Sequence, residues 1–144
     1  MPSQEYEIAR STFERLRRAF PTLMMTLDPD PENIDLALDI PAQPGLRFDV
    51  NLNLQADELH LEAGAFAVEW FPCTDPTVAD GYFDAVSGLL SGRLRILEHQ
   101  RGRRVVKAEL QHPVASGWET IATWARLSLP WGQKTFNVVQ NHAA

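Results

Sequence analysis

Apolar positions along the chain change their period twice. From residue 4 onward, Ile8, Phe13, Leu16 and Phe20 recur every three to five residues, with Glu7, Arg10, Glu14, Arg17 and Arg18 between them. That spacing gives a helix over residues 4–19 one apolar side, and Pro21 lacks the amide that a further turn needs. LMMTLD then reads as a short strand and DPDPEN as a turn.

From Asn33 the period is two. Ile34, Leu36, Leu38 and Ile40 alternate with Asp35, Ala37 and Asp39; Leu46, Phe48, Val50, Leu52 and Leu54 alternate with Arg47, Asp49, Asn51 and Asn53. Strands of this kind bury one face. The turn PAQPG predicts Leu38 opposite Phe48, Ile34 opposite Leu52 and Asp39 opposite Arg47. A third strand, ELHLEA, then sets Leu52 against Leu59, Val50 against Leu61 and Phe48 against Ala63. Beyond Ala63 the apolar positions move from odd to even numbers, at Phe66, Val68 and Trp70, which predicts a β-bulge at Gly64 and Ala65.

Asp75 and Pro76 open a second helix: the carboxylate caps it, and proline sits where its missing amide costs nothing. Val78, Tyr82, Val86 and Leu89 line its apolar face and Gly92 closes it. Gly81 and Gly88 each weaken the helix by ~1 kcal/mol relative to alanine, a cost that close packing on the sheet would offset. RLRILEHQRGRRVVKAEL predicts a hairpin with Gly102 in the left-handed position. Its register pairs Ile96 with Val106, Leu94 with Ala108, Glu98 with Arg104 and Arg93 with Glu109. WETIATWARLSL and KTFNVV, joined by PWGQ, predict a last hairpin with Leu127 opposite Phe136 and Ala125 opposite Val138. The fold class is therefore α+β: an antiparallel sheet, a meander plus two hairpins, with an N-terminal helix and a central helix packed on it. In element order the chain is similar to small acidic secretion chaperones, except that it ends in strands; no motif carries the likeness, so it transfers no function.

Composition agrees with a folded chain. A sequence of 144 residues, 44% hydrophobic and 22% charged, is expected to form one domain over residues 1–144 with a single core. One cysteine excludes an internal disulfide, the charged first 20 residues lack the apolar stretch of a signal peptide, and no apolar run is long enough to span a membrane. The expected setting is soluble and cytoplasmic. Net charge is −6, which argues against a general nucleic-acid binder, yet the charge is divided. Asp28 to Asp75 holds eleven carboxylates and one basic residue, whereas Arg93 to Lys107 holds six basic residues against Glu98 alone.

Chemistry is sparse. Cys73, in EWFPCTDP, precedes a helix N-terminus, which lowers a thiol pKa, but Glu69 and Asp75 raise it and no histidine is near. It reads as a small buried apolar residue. Glu58, His60 and Glu62 share a strand face, and the expected register adds Asp49 opposite Glu62 and Asn51 opposite His60. Such facing acids call for a cation or a basic group. Arg95 and Lys107, themselves a like-charge pair on the basic hairpin, are the expected neutralising groups in place of a metal. His60, His99, His112 and His142 show no ligand spacing. The basic hairpin and its neighbouring tryptophans could grip phosphates, but Arg93 and Arg104 already have expected carboxylate partners, so nucleic acid is not the expected partner. Trp70 and Trp124 read as core; Trp131, in a turn, reads as an interface residue or as local packing. No nucleotide-binding, hydrolase or metalloprotease motif is present.

The sequence thus points to a non-catalytic protein-interaction domain, chaperone-like or inhibitor-like, without cofactor or metal, whose partner is another protein or a second copy of itself. The alternative is a small-molecule-binding domain or enzyme with a pocket between the central helix and the sheet. The binding candidates are Trp70, Cys73 and Asp75 at that junction, and Arg95, Lys107 and Trp131 in the second half.

Overall fold

The computed structural model describes residues 2–141, so His142 lies outside the described residues. Helix α1 (Gln4–Ala19) begins where the Ser3 hydroxyl accepts the Tyr6 N–H at 3.1 Å and ends with Arg17 and Arg18 against the negative end of its dipole. Ala9, Phe13 and Leu16 are buried, with Ile8 and Phe20 half-buried on the same stripe.

That stripe lies on a five-stranded antiparallel meander of β1 (Thr26–Asp28), β2 (Leu36–Ile40), β3 (Val50–Gln55), β4 (Glu58–Ala63) and β5 (Phe66–Trp70). Leu36, Leu38, Ile40, Leu52, Leu54, Leu59, Leu61 and Phe66 point inward and are buried. Helix α1 covers β2 and β3, and helix α2 (Pro76–Ser91) covers β4 and β5. The helices meet where the Arg15 guanidinium lies 4.1 Å from the centroid of the Phe83 ring.

Pairing within this sheet differs from the expected register. Leu38 faces Leu52 in place of Phe48, and Leu52 faces Leu61 in place of Leu59. The cause lies in residues 41–49, which bond to themselves: Gln43 and Leu46 exchange two backbone bonds of 2.9 Å, and Asp49 accepts the Ala42 N–H at 2.7 Å. Strand pairing therefore starts later than the turn PAQPG suggests. Asp39 faces Asn51, and Arg47 is outside the strand. Shifts of four and two residues leave every side chain on its face, so burial alone does not distinguish these registers. The expected bulge at Gly64 and Ala65 is a hairpin turn that sets Ala63 opposite Phe66. A two-residue turn inverts the parity of the apolar positions, and Gly64 supplies its φ of +59°.

Helix α2 starts and stops as the sequence indicates. Asp75 accepts the Thr77 N–H at 2.9 Å, Pro76 follows, and Gly92 turns left-handed at φ +83°. Of its internal glycines only Gly88 is packed closely: a β-carbon there would stand 2.5 Å from Leu94, whereas Gly81 faces open space.

The remaining strands, β6 (Arg95–Arg101), β7 (Arg104–Val114), β8 (Gly117–Ala125) and β9 (Lys134–Val139), form a second sheet in the order β8-β7-β6-β9. The last two do not pair with each other, contrary to expectation. Strand β9 returns beside β6, which makes the four a Greek key. The crossover runs over the β6–β7 turn, held by bonds of 3.0 Å from Gly102 N–H to the Gln133 carbonyl and from Arg126 N–H to the Val106 carbonyl. Gly132, at φ +102°, lets this backbone approach: a β-carbon would come within 3.1 Å of the Gly102 nitrogen.

Within the β6–β7 hairpin, Ile96 faces Leu110 and Arg101 faces Arg104, with a bulge at His99 and Gln100. The expected pairs Glu98–Arg104 and Arg93–Glu109 are therefore absent. Glu98 is instead buried and accepts Asn137 Nδ2–H at 3.0 Å. Ile96, Ala108 and Leu110 join the same buried cluster as the leucines of the first sheet, and β5 packs against β7 and β8. Asn141 fastens the far end. It donates to the carbonyls of Gly45 and Leu90 and accepts the Arg47 N–H. Among the described residues no helix is long and apolar enough to cross a membrane.

Candidate functional site

Among the described residues no helix lies over the outer face of the second sheet, and its apolar residues are correspondingly open. Trp118, Ile121, Leu127, Leu129, Trp131, Phe136 and Val138 are all exposed, Leu127 wholly and Trp131 by 70%. They lie on β8, on the crossover and on β9. Ile121 is the extra residue of a bulge, since Leu110 faces Ala122 while Gln111 faces Thr120. The alternation of β9 presents Phe136 and Val138 outward, while Asn137 between them, itself exposed, donates across to Glu98.

Between these apolar groups runs a polar network. Arg95 Nε donates to Gln111 at 2.9 Å and its guanidinium covers the Trp118 ring at 4.2 Å. Gln111 donates to Thr120 at 3.3 Å, and Thr120 donates to one Glu109 oxygen at 3.1 Å. The other oxygen meets His99 Nε2, whose ring stands edge-on to Phe136 at 5.0 Å. Burial by itself would raise the pKa of Glu109, but hydrogen bonds from His99 and Thr120, with the charges of Lys107 and His99, hold it below the usual carboxylate value.

The candidate residues fall into two separate groups. Trp70 ends β5 with its ring edge-on to Tyr82 at 5.5 Å, Asp75 caps α2, and Cys73 between them is buried with its N–H on the Asp57 carbonyl at 2.8 Å. Burial pushes the Cys73 thiol pKa up, and the carboxylates of Glu5 and Asp57 push it further. The space between α2 and the first sheet beside them is filled by Tyr82, Val86 and Leu89, all buried. Arg95 and Lys107 lie on the outer face of the second sheet, and Trp131 stands in the crossover. Arg95 faces Gln111 and Lys107 faces His99, so they are not a cross-strand pair, and their polar contacts lie within their own sheet. Trp124 is half-buried against the core.

The acidic strand face is assembled differently from its expected form. Glu62 faces Asn51 and His60 faces Asn53, while Asp49 is engaged with the Ala42 amide. His60 meets Glu58 at 3.0 Å, and a ladder runs from Gln55 to Asn53 to Asn51 to Asp39 over bonds of 3.0, 2.8 and 2.6 Å. Among the described residues no group of three or more histidine, cysteine, aspartate or glutamate side chains is placed to hold a metal ion. A depression of about 740 Å³ opens between the start of α1 and the β3–β4 turn, lined by Glu5, Tyr6, Asp30, Asp35 and Asp57 among others.

The sequence did not single out Phe136, Val138, Leu127, Leu129 or the His99–Glu109–Thr120 link, because each depends on where β9 goes and on the β6–β7 register. The charge division, which was visible, coincides with the structural one. Residues 1–91 carry five basic and sixteen acidic side chains, formally −11, and residues 92–144 carry eight and three, formally +5. Comparison with protein-family models, with curated proteins and with solved structures returns no match.

Proposed function

We propose that this is a soluble, cytoplasmic protein that works by binding another protein, in a chaperone-like or inhibitor-like way, through the outer face and free edge of its second sheet. One observation carries the reading: seven large apolar side chains between Trp118 and Val138 are exposed on a single sheet and its crossover. Scattered single apolar residues are normal on a surface, but a group of this kind, rich in aromatics and set among arginines, is typical of a recognition surface. Nothing in this reading requires Cys73 to react.

The test is photo-crosslinking from a probe placed beside the crossover, in the native cytoplasm. The Trp131→Ser and Phe136→Asp variants are expected to lose the cross-linked partner, while Cys73→Ala keeps it. Retention of every cross-link by both surface variants would sink the reading.

A further inference from the structure

Resting on that reading, we infer that the partner presents an extended acidic segment, apolar at alternate positions, which adds to the free edge of β9 as a further strand of the second sheet. The choice of edge follows from the topology. Strand β1 is an edge of only three residues, β5 packs against β7 and β8, and β8 in turn packs against β5. Strand β9 has six residues and is paired on one side only, to β6. Its other row of amides and carbonyls is available, and an added strand satisfies it.

The side-chain pattern of the segment follows from β9. Phe136 and Val138 point outward at alternate positions, with Lys134 next in the same row. A strand laid beside them gains apolar contact from every second residue and places its end near Lys134 and Arg101, which face each other across β9 and β6. Leu129 and Trp131 extend the apolar surface at that end.

The sign of the charge follows from the surroundings. Of the eight basic side chains between Arg93 and Lys134, only Lys107 lies within ion-pair distance of a carboxylate among the described residues, at 3.8 Å from Glu109. The three acidic residues of this half are occupied: Glu98 with Asn137, Glu109 with His99 and Thr120, Glu119 with His112. An acidic segment meets cations there that have no carboxylate partner among the described residues. A second copy of this chain fits less well, because pairing β9 with β9 brings two +5 segments together, and the large exposed apolar side chains of the first half, Met24 and Phe71, stand outside its strands. A nucleic acid also fits less well. Trp118, Trp131 and Phe136 offer faces for stacking, but Leu127, Leu129 and Val138 lie among them, and the −11 of the other half repels a polyanion.

The experiment uses the full chain and labelled peptides, read by fluorescence anisotropy at low salt. The probe is Glu-Glu-Asp-Val-Thr-Phe-Thr-Val-Ser-Gly; a second peptide replaces the three acids with lysine, and a third keeps the composition but sets the apolar residues side by side. The acidic alternating probe is expected to bind at least about tenfold more tightly than either, with the gap narrowing in about 0.5 M salt. Amide shifts should be confined to β9 and the crossover. Lys134→Glu combined with Arg101→Glu should reverse the preference, while Arg18→Glu on α1 leaves it intact, with thermal melting confirming that each variant folds.

Equal binding of the acidic and lysine peptides overturns the inference, as does tighter binding of a ten-residue oligothymidylate. A dimer in solution that peptide addition dissociates assigns the edge to a second copy and likewise overturns it. If none of the peptides binds while Phe136→Asp still abolishes cross-linking, protein binding through this sheet stands and the acidic-strand inference falls.

Discussion

The two sheets are built from similar alternating strands, yet one is covered and the other is not. In the five-stranded sheet the inward leucines of β2, β3 and β4 are closed under α1 and α2, and its outer face is polar, with the amide ladder from Gln55 to Asp39. In the four-stranded sheet the inner face reaches the same core through Ile96, Ala108 and Leu110, but Phe136, Val138, Trp118 and Ile121 remain open outside. The contrast separates two uses of apolar surface: the first half spends its leucines on its own core, while the second displays aromatic and aliphatic groups with a basic surround.

The sharpest break of this contrast is a pair of substitutions. Leu61→Ala removes a fully buried side chain and is expected to cost about 2–5 kcal/mol in urea denaturation, whereas Leu127→Ser, at a wholly exposed position, is expected to cost under ~0.5. A loss above about 1 kcal/mol for Leu127→Ser would make the open surface structural. Asn141→Leu comes next. It removes two donated bonds and one accepted bond and leaves the buried Leu90 carbonyl without this partner, so a loss of about 2–3 kcal/mol is expected by the same measurement.

Helix α2 gives a smaller and two-signed test of the covering layer. Gly88→Ala is expected to destabilise by about 1–3 kcal/mol because the new methyl meets Leu94, and Gly81→Ala to stabilise by about 1 kcal/mol because nothing is in its way. The smallest effect concerns Glu109 on the uncovered side. Its folded pKa lies below the ordinary 4.5, so the unprotonated form is favoured by folding; its contribution is complete above that value and is lost as pH falls through the lowered one. Melting curves of wild type and Glu109→Gln should therefore differ most above the ordinary carboxylate value and converge as pH falls below the lowered one. A difference that grows on acidification would reverse the assigned sign.

What the sequence disclosed, and what it hid, follows from the range of the signals. Helix limits are local: Asp75, Pro76 and Gly92 state the ends of α2 by their own chemistry, and the stripe from Ile8 to Phe20 states the covered side of α1. Register is not local in that sense. Alternation fixes which face Leu38 occupies but accepts Phe48 or Leu52 as its partner equally, and the decision fell to Gln43, Leu46 and Asp49, whose bonds close a loop that no periodicity describes. The same indifference hid the path of β9, because KTFNVV alternates correctly beside either neighbour. With the register went the expected acidic face. The cluster of Asp49 with Glu62 dissolved, and the link from His99 to Glu109 replaced a pair expected between Arg93 and Glu109. The division of charge survived because it needs only proximity in sequence.

The Greek-key return also orders events in time. Strands β6, β7 and β8 are joined by turns of two residues, so each can zip onto its predecessor as soon as both exist, whereas the bond from Asn137 to Glu98 spans 39 residues and waits for the crossover to settle on Gly102. Contacts of that separation close late, and an edge strand with most of its side chains exposed opens early. Amides of β9 should therefore exchange with solvent ahead of those of β7, and each brief departure of the strand strips the buried Glu98 carboxylate of its amide partner. Breathing of that one strand is then expected to open the buried Glu98 carboxylate to water.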